Sequence, residues 1–435
     1  MRTVLFIAPS AYPLGGIADW LEYLLPGLSA YGWRCALGLT VGRFHLADEY
    51  LARHSWDHTV QLRNATGSPE GRVVAIMNAI QEIEPDIVAV ANIFDAYEAV
   101  RRLRVEGKTK TRVVMTLHGL QGDLLMDIGS EQDVLDAVVV TNRLTQILAN
   151  ESIGDALRVL YAPYGVPIAE RRTEPKTLRR DQLKLLYCGR LEQSQKRILD
   201  LPALLLALAQ IGVDATLSIA GAGPDEDALR NEVLARGLQR KIHFLGFLDH
   251  GELSTCYKFH DALILTSSWE TGPIVAWEAM SHRLPVLSSR YLGSGRENAL
   301  IDGVNCLLFP IGDMPAAAAR AQNLLDCELR SRITQGGFNL VKARYSQQAS
   351  VREWATDFET ILNLPRLYTP TARRRHQSES RLDRLFGASL GERIRRSLDI
   401  EYVHADIGGE WPHTSHSDVN QARWLAEAGD MDVLR

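Results

Sequence analysis

At 435 residues and a net charge of −5, the chain is too long for one ordinary core, and it is not an obvious nucleic-acid binder. Its composition is that of a soluble globular protein. The five cysteines (Cys35, Cys188, Cys256, Cys306 and Cys327) are scattered, odd in number and without a C-x-x-C pair, which fits reduced thiols in a cytosol better than a disulfide framework.

The opening MRTVLFIAPSAY has one basic residue and an apolar run too short to span a membrane. It lacks a small-residue cleavage site, so it reads as a strand rather than a signal peptide. Val4 to Ala8 is the continuous apolar run expected of a strand buried in a parallel sheet. A glycine pair, Gly15-Gly16, follows, then a helical stretch from Ile17 to Tyr31 that Pro26 should kink or interrupt. Strand-like runs recur at Trp33 to Leu39, Asp86 to Ala91, Arg112 to Leu117, Ala137 to Val140 and Val159 to Tyr161. Helical stretches such as Gly71 to Glu84 and Asn92 to Arg104 lie between them. Such alternation implies a doubly wound parallel sheet, whose ligands bind outside the carboxyl ends of its strands. Gly15-Gly16 falls there, and paired glycines let backbone approach a phosphate or sugar closely; a plain tight turn is the other reading. His118, in Thr116-Leu117-His118-Gly119, is a polar ring at another strand end. A lone histidine is more often structural than functional.

This first domain is read as residues 1–168, and the charged, aperiodic stretch 169–181 as a linker. A second alternating series fills 182–343. Leu183 to Tyr187 is a strand, Ile198 to Gln210 a helix, Ala215 to Ala220 a strand, Asp225 to Arg236 a helix and Ile242 to Leu245 a strand. Arg190 and Lys196 follow the first of these strands. Two cations there can neutralise a diphosphate, Arg190 through its planar fork and Lys196 as a point charge, although solvated loop charges are the commoner fate of such residues.

The stretch from Thr266 to Phe309 organises the rest. The run Ala262 to Leu265 is a strand, Pro273 suits the first position of a helix, and Ile274 to His282 reads as that helix. Glu270 then lies on the loop at a strand's carboxyl end, and Glu278 one to two turns into the helix. The free N–H groups of the first turn make an anion site between them. Carboxylates on either side of it can accept hydrogen bonds from hydroxyls. A nucleotide sugar has that layout: sugar hydroxyls, diphosphate, ribose hydroxyls. The plain alternative is that Glu270 caps the helix and Glu278 is a solvated helix residue.

Glu270-x7-Glu278, followed by AMSHRLPVLSS, Gly293 to Glu297 and DGVNCLLFPIGD, resembles the donor-binding signature of family 4 glycosyltransferases, retaining enzymes with a GT-B fold. The Gly-Arg…Lys turn at 189–196, the GAGP turn at 221–224 and the HFLGF run at 243–247 fit the same resemblance, which ends near Pro365. It implies two Rossmann-like doubly wound domains facing a central cleft. Gly15 and Gly16 would close over the donor diphosphate, and His118 would contact the transferred sugar. Arg190 and Lys196 would stabilise the leaving phosphate together with the helix start at Gly272, Pro273 and Ile274. Glu270 would hold sugar hydroxyls, Glu278 the ribose, and backbone from Phe244 to Phe247 the base. Where the family usually has asparagine before a Gly-Val pair, this chain has Tyr164.

The expected activity is transfer of a sugar, with retention, from a nucleotide-sugar donor to an acceptor glycan, lipid or small molecule. Neither metal nor other cofactor is expected. The alternatives are a hydrolase, epimerase or sugar phosphorylase on the same fold, or a non-catalytic nucleotide-sugar-binding scaffold. Helices are expected at Pro315 to Leu325 and Val341 to Asn363; in this fold residues 344–364 cross back to the first domain, with Trp354 and Phe358 on one face. The remaining tail, 365–435, splits by charge. Residues 366–396 hold nine arginines against three acids, and 397–435 eight acids against two arginines. In the basic part Leu382, Leu385, Phe386, Leu390, Ile394 and Leu398 fall near one helical face. A basic amphipathic helix of this kind can lie on an anionic membrane from the cytoplasmic side, or simply pack on the protein with a solvated basic face. His404, Asp406, His413 and His416 match no metal-ligand spacing.

Overall fold

The computed structural model describes residues 1–10, 16–54, 56, 58–91, 93–153, 158–169, 182–366, 380–404, 410–415 and 419–433. The expected linker therefore lies, apart from residue 169, outside the described residues, as do Gly15, Asp406 and His416. The chain divides into two compact units. The first is 1–141, 145–162 and 352–427; the second is 142–144, 163–351 and 428–435.

The first unit is built on seven parallel strands: β1 (Arg2–Ala8), β2 (Trp33–Val41), β3 (Thr59–Arg63), β4 (Ile87–Ala91), β5 (Arg112–Leu117), β6 (Ala137–Val140) and β7 (Arg158–Tyr161). Their order is β3-β2-β1-β4-β5-β6-β7. Register runs without a break from Arg2 against Trp33 to Ala8 against Leu39. Strands β4 and β6 are buried at every residue, which is why they read as unbroken apolar runs. The helix after β1 spans Gly16–Leu28 with Pro26 inside it and gives way two residues later to a 3-10 turn at Ser29–Tyr31, so the expected helical stretch to Tyr31 is interrupted just after the proline. Trp354 and Phe358, both fully buried, pack within this unit: Trp354 stands 5.0 Å from Trp20 between ring centres, and Phe358 5.3 Å from Trp33.

The second unit carries six parallel strands: β8 (Gln182–Cys188), β9 (Asp214–Ala220), β10 (Ile242–Gly246), β11 (Ala262–Leu265), β12 (Val286–Ser289) and β13 (Leu307–Phe309), in the order β10-β9-β8-β11-β12-β13. One side of its core joins Leu185, Leu217 and Leu287 from the sheet to Leu201, Leu204 and Leu208 of helix Asp200–Gln210 and Ala317, Ala318 and Ala321 of helix Met314–Gln322. Alanines on the second helix let the two approach closely. Residues Val341–Tyr345 form a π-type turn, and Ser346 is extended before helix Gln347–Asn363, so the single helix expected from Val341 to Asn363 is in fact two pieces. The turn places Tyr345 flat on Trp277, 4.1 Å between ring centres.

Each unit is thus a doubly wound sheet of the expected Rossmann-like class. In the second, the strand order reverses between β8 and β11, and loops leaving their carboxyl ends diverge. That divergence is the physical origin of a ligand crevice in such sheets.

Candidate functional site

In the second unit, the chain leaving β8 passes Gly189 and Arg190 and closes a short helix, Gln193–Lys196. The chain leaving β11 runs through Thr266 to Pro273 into helix Ile274–Ser281. Two hydrogen bonds join the segments: Ser268 N–H donates to Gln195 O at 2.7 Å, and the Thr266 hydroxyl Oγ1 donates to Lys196 O at 2.6 Å. The Gln195 amide donates in turn to Trp269 O at 3.0 Å. Lys196 is therefore fixed at its main chain before its side chain does anything.

Its ammonium meets Glu270. Lys196 Nζ lies 2.5 Å from Glu270 Oε1, and Ser267 Oγ donates to the same oxygen at 2.6 Å. Glu270 is buried and its N–H donates to Leu292 O at 3.1 Å, so the carboxylate is held by the strand end and by the loop after β12. Arg190 stands apart from this pair. Its half-exposed guanidinium reaches Glu192 at 2.5 Å and Gln195 Oε1 at 3.2 Å. The structure thus brings Lys196 and Glu270 into contact and leaves Arg190 on the loop beside them.

Pro273 is the residue before the helix rather than its first, and no side chain caps the helix start. The helix amides after it are therefore disposed as an anion would require. Gly272 sits at φ +154°, and a Cβ there would come within 2.6 Å of Tyr164 Cδ2. The departure from the family pattern at Tyr164 has a structural counterpart: its buried ring rests on the Gly272 backbone. Glu278, in the second turn, is buried, and its Oε2 accepts a 2.8 Å bond from the Tyr257 hydroxyl; His250 Nδ1 lies 3.8 Å from Oε1. His282 donates to or accepts from Ser254 Oγ at 2.9 Å and contacts the Glu278 carbonyl through Nδ1; burial lowers its pKa. Phe247, past the end of β10, is exposed.

In the first unit, His118 follows β5, nearly buried. Its Nε2 is 2.9 Å from Thr116 Oγ1, and its ring lies 4.2 Å from Trp20. Burial drives its pKa down to about 3, so the imidazole is neutral at physiological pH and can serve there as a neutral donor or acceptor. Gly16 begins the Gly16–Leu28 helix. Of the tail histidines, His404 bonds Gly67 O at 2.6 Å and His413 lies 3.3 Å from Asp123.

Sequence reasoning missed four partners. Ser267 and Tyr257 hold Glu270 and Glu278, and Gln195 ties the two loops; Ser267 and Gln195 lie inside the stretches singled out above but are given no role there, and Tyr257 lies outside them. The fourth is Asp432, near the end of the chain. Its Oδ2 accepts from the N–H of Gly293 at 2.7 Å and of Gly295 at 3.2 Å, and its Oδ1 from that of Arg296 at 2.8 Å. Arg296 Nε donates back to Met431 O. One carboxylate thus gathers three backbone donors of the loop whose preceding residue, Leu292, bonds Glu270.

Residues 170–339 match the family model for glycosyl transferases group 1. Among curated proteins, the chain is 34% identical over 160 residues to the glycogen synthase of Mycobacterium tuberculosis, a match covering 37% of each. It is 29% identical over 184 residues to the alpha-D-kanosaminyltransferase of Streptomyces kanamyceticus, covering 42% of this chain and 46% of that enzyme. The chain thus matches less than half the length of either relative. Anabaena HepE, solved in complex with UDP and glucose, aligns over 83% of this chain and 100% of its own with a TM-score of 0.67 at 18% identity, a likeness of fold. Residues 170–339 are thus similar to the glycosyl transferases group 1, and the chain as a whole shares the fold of the solved glycosyltransferases.

Proposed function

We propose that this protein is a retaining glycosyltransferase of the family 4 kind, moving a sugar from a nucleoside-diphosphate donor to an acceptor glycan, lipid-linked intermediate or small molecule. The observation that carries the reading is the Lys196–Glu270 pair at the reversal point of the second sheet, followed at once by a helix start that no side chain caps. Cation, carboxylate and amides in that order meet, in turn, a phosphate, a sugar hydroxyl and the remaining phosphate oxygens.

The chemistry is cleavage of the bond from the anomeric carbon to the diphosphate oxygen, with attack by an acceptor hydroxyl on the same face. Charge builds on the departing diphosphate. Lys196 carries three donors, of which Glu270 and the phosphate can share the set. Arg190 adds a fork from the solvent side, and the amides of Ile274 and Val275 add the helix dipole. Lys196 and Ser267 both bond Glu270 through Oε1, and Oε2 is assigned to a sugar hydroxyl. Glu278, whose Oε2 accepts from the Tyr257 hydroxyl, is assigned to the ribose hydroxyls. Gly15, Gly16 and His118 are assigned to the donor diphosphate and the transferred sugar, and backbone near Phe247 to the base. These groups supply the neutralising charge without a metal ion. Because HepE is solved with UDP and the pneumococcal O-GlcNAc transferase GtfA with UDP and GlcNAc, uridine diphosphate is the first nucleotide to try. Among the described residues no helix is long and apolar enough to cross a membrane, and the five cysteines are free thiols; the proposed place of action is the cytoplasm.

The test is calorimetry with nucleoside diphosphates and their sugars, in EDTA, on wild type and Glu278→Ala. Removing a carboxylate that bonds ribose hydroxyls should weaken binding about 10- to 100-fold. A folded wild type that binds no nucleotide refutes the reading. Sugar passed to water or phosphate instead of an acceptor would move the assignment to a hydrolase or phosphorylase.

A further inference from the structure

The tail begins with a correction to the basic helix expected from sequence. Gly387, at φ +80°, breaks it into a hairpin of two helices, Arg381–Phe386 and Ala388–Leu398. Leu382 and Ile394 are half-buried, whereas Leu385, Phe386, Leu390 and Leu398 are exposed. The seat is polar: Glu392, which is buried, accepts from Thr66 Oγ1 at 2.7 Å and from Ser68 Oγ. Beyond the hairpin the tail meets loops at the carboxyl ends of the first sheet. Tyr402 N–H donates to Thr66 O at 2.8 Å, past the end of β3. The indole N–H of buried Trp411 donates to Val41 O at 3.1 Å, at the end of β2.

The grip is closest after β5, on the loop that carries His118. Helix Gly122–Ser130 starts just past that residue, and Gln121 before it offers no side-chain cap. The missing partner comes from 299 positions away. Gln421 Oε1 accepts from Gly122 N–H at 3.2 Å, and Gln421 Nε2 donates to Leu120 O at 2.9 Å. One side-chain amide thus closes a donor and an acceptor of the same loop. Gln421 is itself placed by a helix start: Asn420 Oδ1 accepts from Arg423 N–H at 3.1 Å, and helix Gln421–Met431 follows. Trp424 lies against Gly122, where an added Cβ would meet its Cγ at 2.8 Å and Val419 Cγ1 at 2.9 Å. Farther along the Gly122–Ser130 helix, His413 is 3.3 Å from Asp123, and Ser415 N–H donates to buried Asp127 at 3.2 Å.

We propose that Gln421 is a positioning residue for His118, and that the tail thereby takes part in recognising the transferred sugar. His118 is fixed on its strand side, by Thr116 and by the ring of Trp20. On its other side comes Gly119, the residue type that restrains a backbone least. The two Gln421 bonds, at Leu120 and Gly122, supply the restraint that glycine does not. A neutral imidazole acts through one directional hydrogen bond, so a small shift of its main chain is felt at the hydroxyl it meets. The inference rests on the assignment of His118 to the transferred sugar.

The test is calorimetry of the full chain with UDP and UDP-glucose, replaced by another diphosphate and its sugar if the panel above selects one. Gln421→Ala should weaken the nucleotide sugar about fivefold and leave the bare diphosphate within about twofold. Gly122→Ala, which displaces Trp424 from the loop's own side, should reproduce that loss; thermal melting checks that each variant is folded. Gln421→Ala added to His118→Ala should cost nothing further, because both act through one contact. Equal losses for sugar and diphosphate, no loss in folded Gln421→Ala, or losses that simply add in the double variant overturn the positioning role and leave the donor site standing. A folded wild type that binds no nucleotide refutes the donor reading and this role with it.

Discussion

Replacing Asp432 by alanine removes the acceptor for three amides at once. The bonds, at 2.7, 2.8 and 3.2 Å, run from Gly293, Arg296 and Gly295. A hydrogen bond to a charged group contributes about 1.5–3 kcal/mol. Three at the low end give about 4.5 kcal/mol, and water reaching the partly exposed loop returns some of it, leaving about 3 kcal/mol. That corresponds to about a 150-fold rise in the local opening constant of residues 293–296. The far end of the loop stays anchored, because Glu297 is buried and accepts from Tyr345 Oη at 2.6 Å and Arg344 at 2.9 Å. Opening should therefore be local, and the melting temperature should change little. Hydrogen exchange read by mass spectrometry on peptides covering 293–296 is the assay, and Asp432→Asn, with one acceptor oxygen, should fall between alanine and wild type. The effect should also reach Glu270, whose N–H is bonded to Leu292 next door. Affinity for a nucleotide sugar should drop while affinity for the bare nucleoside diphosphate holds. Unchanged exchange in the alanine variant would refute the idea that the chain's end latches this loop.

Gly272→Ala should destabilise the protein by about 2–4 kcal/mol, from positive-φ strain plus the 2.6 Å approach to Tyr164; thermal melting checks it, and Tyr164→Asn in the same chain should recover part of the loss. Trp354→Ala should cost about 3–5 kcal/mol, because a fully buried indole is lost from contact with Trp20 and Phe358, and urea denaturation measures it. His118 bears on acid stability. Its folded pKa of about 3 lies below the unfolded value near 6.5, so the unfolded chain takes up the proton first as pH falls. Stability should decline by about 1.4 kcal/mol per pH unit below 6.5, or about 2 kcal/mol at pH 5. His118→Gln should lack that increment in urea unfolding at pH 7 and 5, and an equal decline in both proteins would count against a buried neutral imidazole.

What the sequence discloses follows from how local each interaction is. Strands such as β4 and β11 are readable because burial on both faces demands unbroken apolar residues, and the demand is met within four or five positions. The loop from Thr266 into helix Ile274–Ser281 is readable for a similar reason: strand, glycine-proline break and apolar helix succeed one another without interruption. Partners across the chain leave no such trace. Tyr257 reaches Glu278 from a neighbouring helix, and Asp432 closes on Gly293 across 139 residues, with nothing near either residue to mark it. The tail is the most instructive case. A helical wheel assigns the apolar side of 381–398 to the protein because burying Leu and Phe is ordinarily what holds a helix down. That inference fails because Thr66, Ser68 and Glu70, some 320 residues earlier, offer a polar seat at the start of the helix Pro69–Ile83, and Glu392 and Ser389 fill it. With Asp383 neutralising Arg395 beneath the hairpin, the ionic residues have better partners inside than in water, and the leucines are left to face out. Periodicity records which residues share a face; which face turns inward depends on a seat that only the folded first unit provides.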